Sequence, residues 1–279
     1  MQKLTLIALV WCASQAANAS EWRILLGGIN AYSDSNVKVN SLNVQEEEFV
    51  LDFERDLELK DRTILPEAKI QYQFADRHSV SFSFFRLNRS GTNQNISQPF
   101  EVNWADDNTY QVQVGAALTT DFNYEIYRLF YSYELYQSDR FNLGTSLGLH
   151  IIPVELSLAG EIQACANDGV QQICDSEETR VVSEDITAPL PNIGFYGSWY
   201  FAPRWTLSAD TQFFYIELDT FKGSLLEVNT FVSYQFNEHW QGRLGYGLYD
   251  VRAVNDGDRA DLEVNVLYQG GKAAVEYAF

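Results

Sequence analysis

Three histidines are the only imidazoles in the 279 residues. His150 stands in "FNLGTSLGLHIIPVELS", with Ser146 four residues before it, Ser157 seven after it, and Glu155 just beyond Pro153. A hydroxyl, an imidazole base and an orienting carboxylate are the parts of a nucleophilic acyl-transfer site. In an extended chain Ser146 falls on the same face as His150. The stretch carries no recognisable Ser-His motif, and His78 and His239 stand in short turns. The constellation a catalytic site needs is therefore incomplete. His150 is read as a satisfied inward polar residue, with catalysis as the alternative.

Three other groups could carry chemistry. Lys69, Arg128, Glu134, Asp210, Glu227, Arg243, Lys272 and Glu276 alternate with apolar neighbours and share one face of successive extended stretches. With both signs present, they read as a paired network that fills a narrow lumen, and alternatively as an ion path. Asp256, Asp258 and Asp261, with Asn255 and Glu263, supply oxygen ligands for a hard cation. Gly257 comes too early for an EF-hand loop, so Asp256-Gly257 reads as a hairpin turn. No metal and no cofactor are expected. Cys165 and Cys174 flank "ANDGVQQI" and are expected to pair if the chain is exported.

The elements that must position these residues are strands. Period-two alternation recurs in "KIQYQF", "YRLFYSYELY", "FNLGTSLGLHI", "WTLSADTQF" and "LEVNTFVSYQF". Aromatic residues make up 14% of the chain, which favours strands. The pattern predicts strands near 22–32, 63–75, 78–90, 121–136, 140–158, 186–201, 204–219, 223–236 and 239–253. It also predicts a tail, 259–279, that is one strand kinked at Gly270-Gly271 or an arm followed by 271–279. About ten strands result, with eight to twelve open and 92–118 a possible extra hairpin.

Residues 1–19, "MQKLTLIALVWCASQAANA", have the charge, apolar run and small-x-small end of a signal peptide cleaved after Ala19. The net charge is −19, or about −20 without Lys3, which excludes nucleic acid as a partner. Residues 20–279 show no linker and read as one domain. Phe74, Tyr136, Phe201, Trp205, Phe236 and Trp240 end apolar faces near short turns at 75–78, 137–140, 202–204 and 237–240. Longer acidic connections, near 33–62, 90–120, 159–186 and 253–262, alternate with them. Within 44–61, Phe49, Val50, Phe53 and Leu57 would line one helical stripe, placing this segment over a mouth or at its rim.

These features, with "ANA" before residue 20 and the final "VEYAF", resemble Gram-negative outer-membrane β-barrel proteins. "LDFERDLEL" and "FRLNRSG" also resemble a proteobacterial barrel family that carries no assigned activity. The resemblance implies an all-β fold: one transmembrane antiparallel barrel, short periplasmic turns and long acidic extracellular loops. It implies that Tyr277 and Phe279 form an assembly signal read by the barrel-assembly machinery, with Phe279 closing the barrel against "EWRILLGGI". Outer-membrane lipid and lipopolysaccharide become the expected surroundings. The functional expectation is a non-enzymatic protein, structural or binding through its loops. A narrow channel and a lipid-acting enzyme centred on His150 are the alternatives.

Overall fold

The computed structural model describes residues 21–41, 48–103, 109–167, 172–175, 178–217, 221–256 and 261–279; the expected signal peptide lies outside them. Fourteen strands are present: β1 (Glu21–Ser41), β2 (Glu48–Asp52), β3 (Arg62–Ala75), β4 (His78–Asn93), β5 (Phe100–Asn103), β6 (Thr109–Val112), β7 (Leu118–Gln137), β8 (Phe141–Asn167), β9 (Gln172–Cys174), β10 (Glu178–Ala202), β11 (Trp205–Glu217), β12 (Phe221–Gln235), β13 (Trp240–Asp256) and β14 (Asp261–Ala278). Ten of them form the wall, in the order β1-β3-β4-β7-β8-β10-β11-β12-β13-β14. β14 pairs back onto β1 from Arg23 opposite Ala278 to Val37 opposite Val264, so the barrel is closed and has no wall edge at this seam. Phe279 adds one more bond, its N–H donating to the Trp22 carbonyl at 2.9 Å.

The wall turns tightly at one end, at Asp76-Arg77, Ser138–Arg140, Pro203-Arg204 and Phe236–His239. Asn237 closes the last of these, its side-chain oxygen accepting from the N–H groups of His239 and Trp240. Arg204 takes a left-handed φ of 70° in the turn at Pro203. The opposite end carries the long connections. Short turns mark the periplasmic end of an outer-membrane barrel, so we call this end inner and the other outer.

The polarity of the alternation reverses partway up the wall. Near the inner end the outward row is Leu, Ile and aromatic, while the inward row is polar. Two consecutive apolar residues then occur, and above them the inward row is apolar. The pairs are Phe84-Phe85, Ile126-Tyr127, Ile151-Ile152, Leu225-Leu226 and Leu248-Tyr249. In each pair one residue faces out and the next is in the core: Leu226 is 43% exposed and Leu225 2%, Ile151 38% and Ile152 3%. Strand pairing of β12 with β13 runs through the change without a register shift. The change therefore lies in residue choice and not in a bulge. Outward apolar residues run over about 8–10 residue steps, as from Trp240 to Leu248 and from Leu226 to Phe236. At ~3.3 Å per residue and a ~40° tilt this gives a belt roughly 20–25 Å tall, matching the apolar band of a membrane barrel.

Several boundaries differ from the sequence reading. β8 runs to Asn167 and β10 starts at Glu178, so most of the 159–186 connection is a long hairpin, paired from Glu178 opposite Ile162. β1 likewise continues to Ser41. On these extensions Asp34 and Glu161 face out and are exposed, so the apolar-out rule no longer applies. The tail is a single strand without the kink or arm, paired continuously on both sides. The extra hairpin in 92–118 is β5–β6, which also bridges β1 to β8.

Candidate functional site in the barrel lumen

The lumen has two compartments. The inner one is an open polar chamber of about 1060 Å³, and all eight charged residues singled out by alternation line it. Its floor is a network around Arg128, which is 4% exposed. The guanidinium pairs with Glu227 and with Glu67 and donates from Nε to Ser83 Oγ at 2.8 Å. Lys272 Nζ lies 2.9 Å from Glu67 and 3.0 Å from Asn229 Oδ1. Asn229 donates to Asp210 and to Glu227, both at 2.9 Å. Nearer the opening, Arg243 pairs with Glu276 at 2.9 Å and lies over the Phe231 ring at 4.4 Å.

Not all eight are paired. Among the described residues, Lys69 makes no ion pair or hydrogen bond and the Glu134 Oε1 atom has no partner. The acid that Lys272 uses is Glu67, which the sequence reading missed. Glu67 has the parity of Lys69, Gln71 and Gln73, so carrying that row two residues back would have found it.

The outer compartment is apolar and filled. Phe85, Tyr124, Tyr249 and Tyr268 meet across the axis, with Tyr249 and Tyr268 stacked at 4.9 Å and Phe85 edge-on to Tyr268 at 5.5 Å. Above this layer the segment 48–61 folds into the mouth. It is strand β2 followed by a turn, where one helical stripe was expected. Leu51, Phe53, Leu57 and Leu59 are buried, while Val50 is exposed; the Phe49 side chain lies outside the described residues. Helical spacing fails because the apolar residues alternate in two pairs around a polar turn at Glu54–Asp56.

A buried charge pair holds this plug. Arg89, on β4, pairs with Glu54, donates to Ser35 Oγ at 3.0 Å and to the Lys60 carbonyl at 2.9 Å. The Ser35 N–H donates to the other Glu54 oxygen at 2.9 Å. Glu58 takes a left-handed φ of 56°, and its carbonyl lies against Gly91, where any Cβ would collide with it. "LDFERDLEL" (51–59) is thus the plug, and "FRLNRSG" (85–91) is the strand that receives it. The signal for this latch was Arg89, a cation closing the inward row Phe85-Leu87 opposite an acidic segment.

His150 is fully buried at the chamber floor. Its Nε2 is 3.2 Å from Glu227, its Nδ1 meets the Asn192 amide, and its ring is edge-on to Phe130 at 5.5 Å. Ser146 lies on the same face, as expected, and its Oγ accepts from Gln212 at 2.9 Å. Ser157 and Glu155 do not join them. Their odd spacing from His150 turns both to the outer face of the wall, where Glu155 accepts from Asn123 at 3.4 Å. The expected Ser-His grouping is corrected accordingly.

Cys165 and Cys174 form a disulfide across β8 and β9. Next to it, Asp175 takes hydrogen bonds from Arg180 at 2.7 Å and the Ala164 N–H at 2.9 Å. The Arg180 bond first, then the backbone bond, hold its carboxyl below the usual carboxylate range. The backbones of Asp256 and Asp261 pair at the outer end of β13 and β14, and Asp258 lies outside the described residues. No cluster of three metal-ligating side chains occurs among the described residues.

The sequence matches no family model and no curated protein. Among solved structures, the outer membrane protease OmpT from Escherichia coli is similar over 93% of this chain and 97% of its own, with 11% identity and a TM-score of 0.56. Ail, the attachment invasion locus protein of Yersinia pestis, covers 93% of this chain and 99% of its own at 11% identity and a TM-score of 0.33. The toluene transporter TodX of Pseudomonas putida covers 94% and 90% at 10% identity and 0.34. The likeness to OmpT is one of fold. A closed ring of ten antiparallel strands, an apolar belt edged by aromatic residues at the inner turns and this likeness together give the chain the fold of an outer-membrane β-barrel.

Proposed function

We propose that this barrel is a non-conducting, non-enzymatic protein of the outer membrane that works through its outer face. The observation that carries the reading is the double closure of the lumen. The plug Leu51–Leu59 covers an aromatic layer that already fills the cross-section. Dry apolar packing of this kind offers no hydrated path for an ion. His150 supports the non-enzymatic side of the reading, because both ring nitrogens are engaged and Ser146 is held by Gln212. In this reading its surroundings are outer-membrane lipid and lipopolysaccharide, and its assembly uses the barrel-assembly machinery.

Single-channel recording in planar bilayers tests the closure: no steady conductance is expected. A steady, large conductance would replace this reading with a channel. Incubation with phospholipid and lipopolysaccharide should yield no hydrolysis; turnover abolished by His150→Gln would favour the enzyme alternative. Deleting Phe279 should lower the yield of heat-modifiable barrel, since the seam loses its last pair.

A further inference from the structure

β3 and β4 stop pairing early although both strands go on. β3 stays paired with β1 up to Arg62 opposite Tyr32, and β4 with β7 up to Asn93 opposite Leu118. Between them the last pair is Glu67 opposite Phe85. The next residue is Pro66, which has no N–H to give. The Leu65 carbonyl lies toward Gly28 of β1, and backbone groups alternate sides along a strand, so the Pro66 nitrogen faces β4. Phe85 belongs to a doublet where the polarity reverses, so the wall parts at the top of the apolar belt. β10 and β11 also part, at Ile193 opposite Phe213, but β11 is over at Glu217. Above the last β3–β4 pair, no backbone hydrogen bond joins β4 to β3 or to the plug among the described residues. Two side chains cross instead. Arg89 holds Glu54 and the Lys60 carbonyl, and the Asn93 amide donates to the Asp56 carbonyl at 2.9 Å. The plug's own backbone is tied to the β1 side, with the Leu59 N–H donating to Phe53 and the Phe53 N–H to Ser35, both at 2.9 Å.

We propose that the plug is a shutter over a lateral window between β3 and β4. Residues 53–61 swing clear as one unit, while the ring below the last β3–β4 pair and the aromatic layer stay closed. Release parts two side-chain ties and unburies Phe53, Leu57 and Leu59, and it breaks no pair of the wall. An opening that spares the wall lies well below global unfolding in free energy. The Glu58 carbonyl against Gly91 gives the shutter a single seat to return to. Opening bares Leu65 and Leu87, buried on the two lips of the window, at the outer edge of the belt.

The test is hydrogen–deuterium exchange of the full chain in lipid nanodiscs, read by mass spectrometry. In the unaltered protein, residues 53–61 should exchange together, at least about 100-fold faster than the paired amides of β7 and β8. Glu54→Gln should speed 53–61 by about tenfold and leave β11 and β12 unchanged. Joining Asp56→Cys to Asn93→Cys with a bismaleimide should slow 53–61 by at least about tenfold. Heat-modifiability checks that each barrel is intact. Glu54→Gln should also stay silent in planar bilayers, because the aromatic layer remains. Four results would each overturn the proposal: exchange of 53–61 no faster than that of β7 and β8, exchange of β3 below Glu67 in step with the plug, no slowing by the crosslink, or conductance gained by the variant alone.

Discussion

In the inner half of the wall the outward residues are Leu129, Leu147, Trp199 and Leu244, and the inward ones are Lys69, Arg128, Glu227 and Arg243. In the outer half of the same strands Asp121, Glu125 and Asp250 face out, and Phe122, Tyr124 and Tyr249 face in. Arg86 and Glu125 even pair on the outer surface at 3.1 Å. One half is a membrane barrel with a wet centre; the other is built like a soluble protein with a dry core. Strand pairing is indifferent to this difference, since it uses backbone groups alone. The medium on each side of the wall decides which side chains belong there.

Four perturbations measure how real the difference is. Arg89→Ala should have the largest effect, because it strands Glu54 in the dry half. A loss of about 3–5 kcal/mol is expected, read by denaturant titration together with hydrogen exchange at 51–59. Phe53→Ala removes a ring packed edge-on to Phe122 at 5.1 Å, and should cost about 3–4 kcal/mol by the same readings. Arg128→Ala stands at the boundary. A loss near ~3–5 kcal/mol would extend the dry region down to the chamber floor, and one near ~0–1 kcal/mol would place the floor in water. Arg243→Ala, in the open chamber, should cost only ~0–1 kcal/mol. Equal losses for Arg89 and Arg243 would erase the distinction between the halves.

The smallest effects belong to the hairpin tip. Replacing Cys165 and Cys174 with serine should change barrel stability by less than about 1 kcal/mol, since the tip opens locally without unfolding the wall. Asp175 gives the tip a pH dependence of known sign. Its folded carboxyl titrates lower than the free one, so its contribution is present above the unfolded value and fades as pH falls through the folded value. Proteolysis at the tip should therefore increase in acid, and Asp175→Asn should remove that increase.

Much of the wall was legible in the sequence. Period two located every wall strand, and the alternation of short and long connections required an even number, read as about ten with eight to twelve open. Cys165 and Cys174 were paired by spacing and compartment. The reversal of polarity was not read, although it is written in the doublets Phe84-Phe85, Ile151-Ile152 and Leu225-Leu226. A doublet looks like a break in an alternating pattern when only one rule, apolar residues outward, is applied along the whole strand. The strands were cut short at their outer ends for the same reason, because the end of β8 follows the soluble rule, with Leu158 and Ile162 buried and Glu161 exposed. The Arg89–Glu54 latch joins residues 35 positions apart, and no local pattern connects them.

The filled outer compartment also gives this barrel an unusual response to temperature. Exposing an apolar core to water raises the heat capacity, whereas the lipid-facing belt contributes this way only if it leaves the bilayer. Loosening the plug should therefore follow a curved stability profile, with a temperature of maximum stability and weakening on cooling as well as on heating. The charged floor beneath it, whose pairs trade hydration against Coulomb attraction, should respond in the other direction as temperature rises. Cold would then act first at Leu51, Phe53 and Tyr249, at the outward end, while the ring of strands embedded in lipid stayed closed.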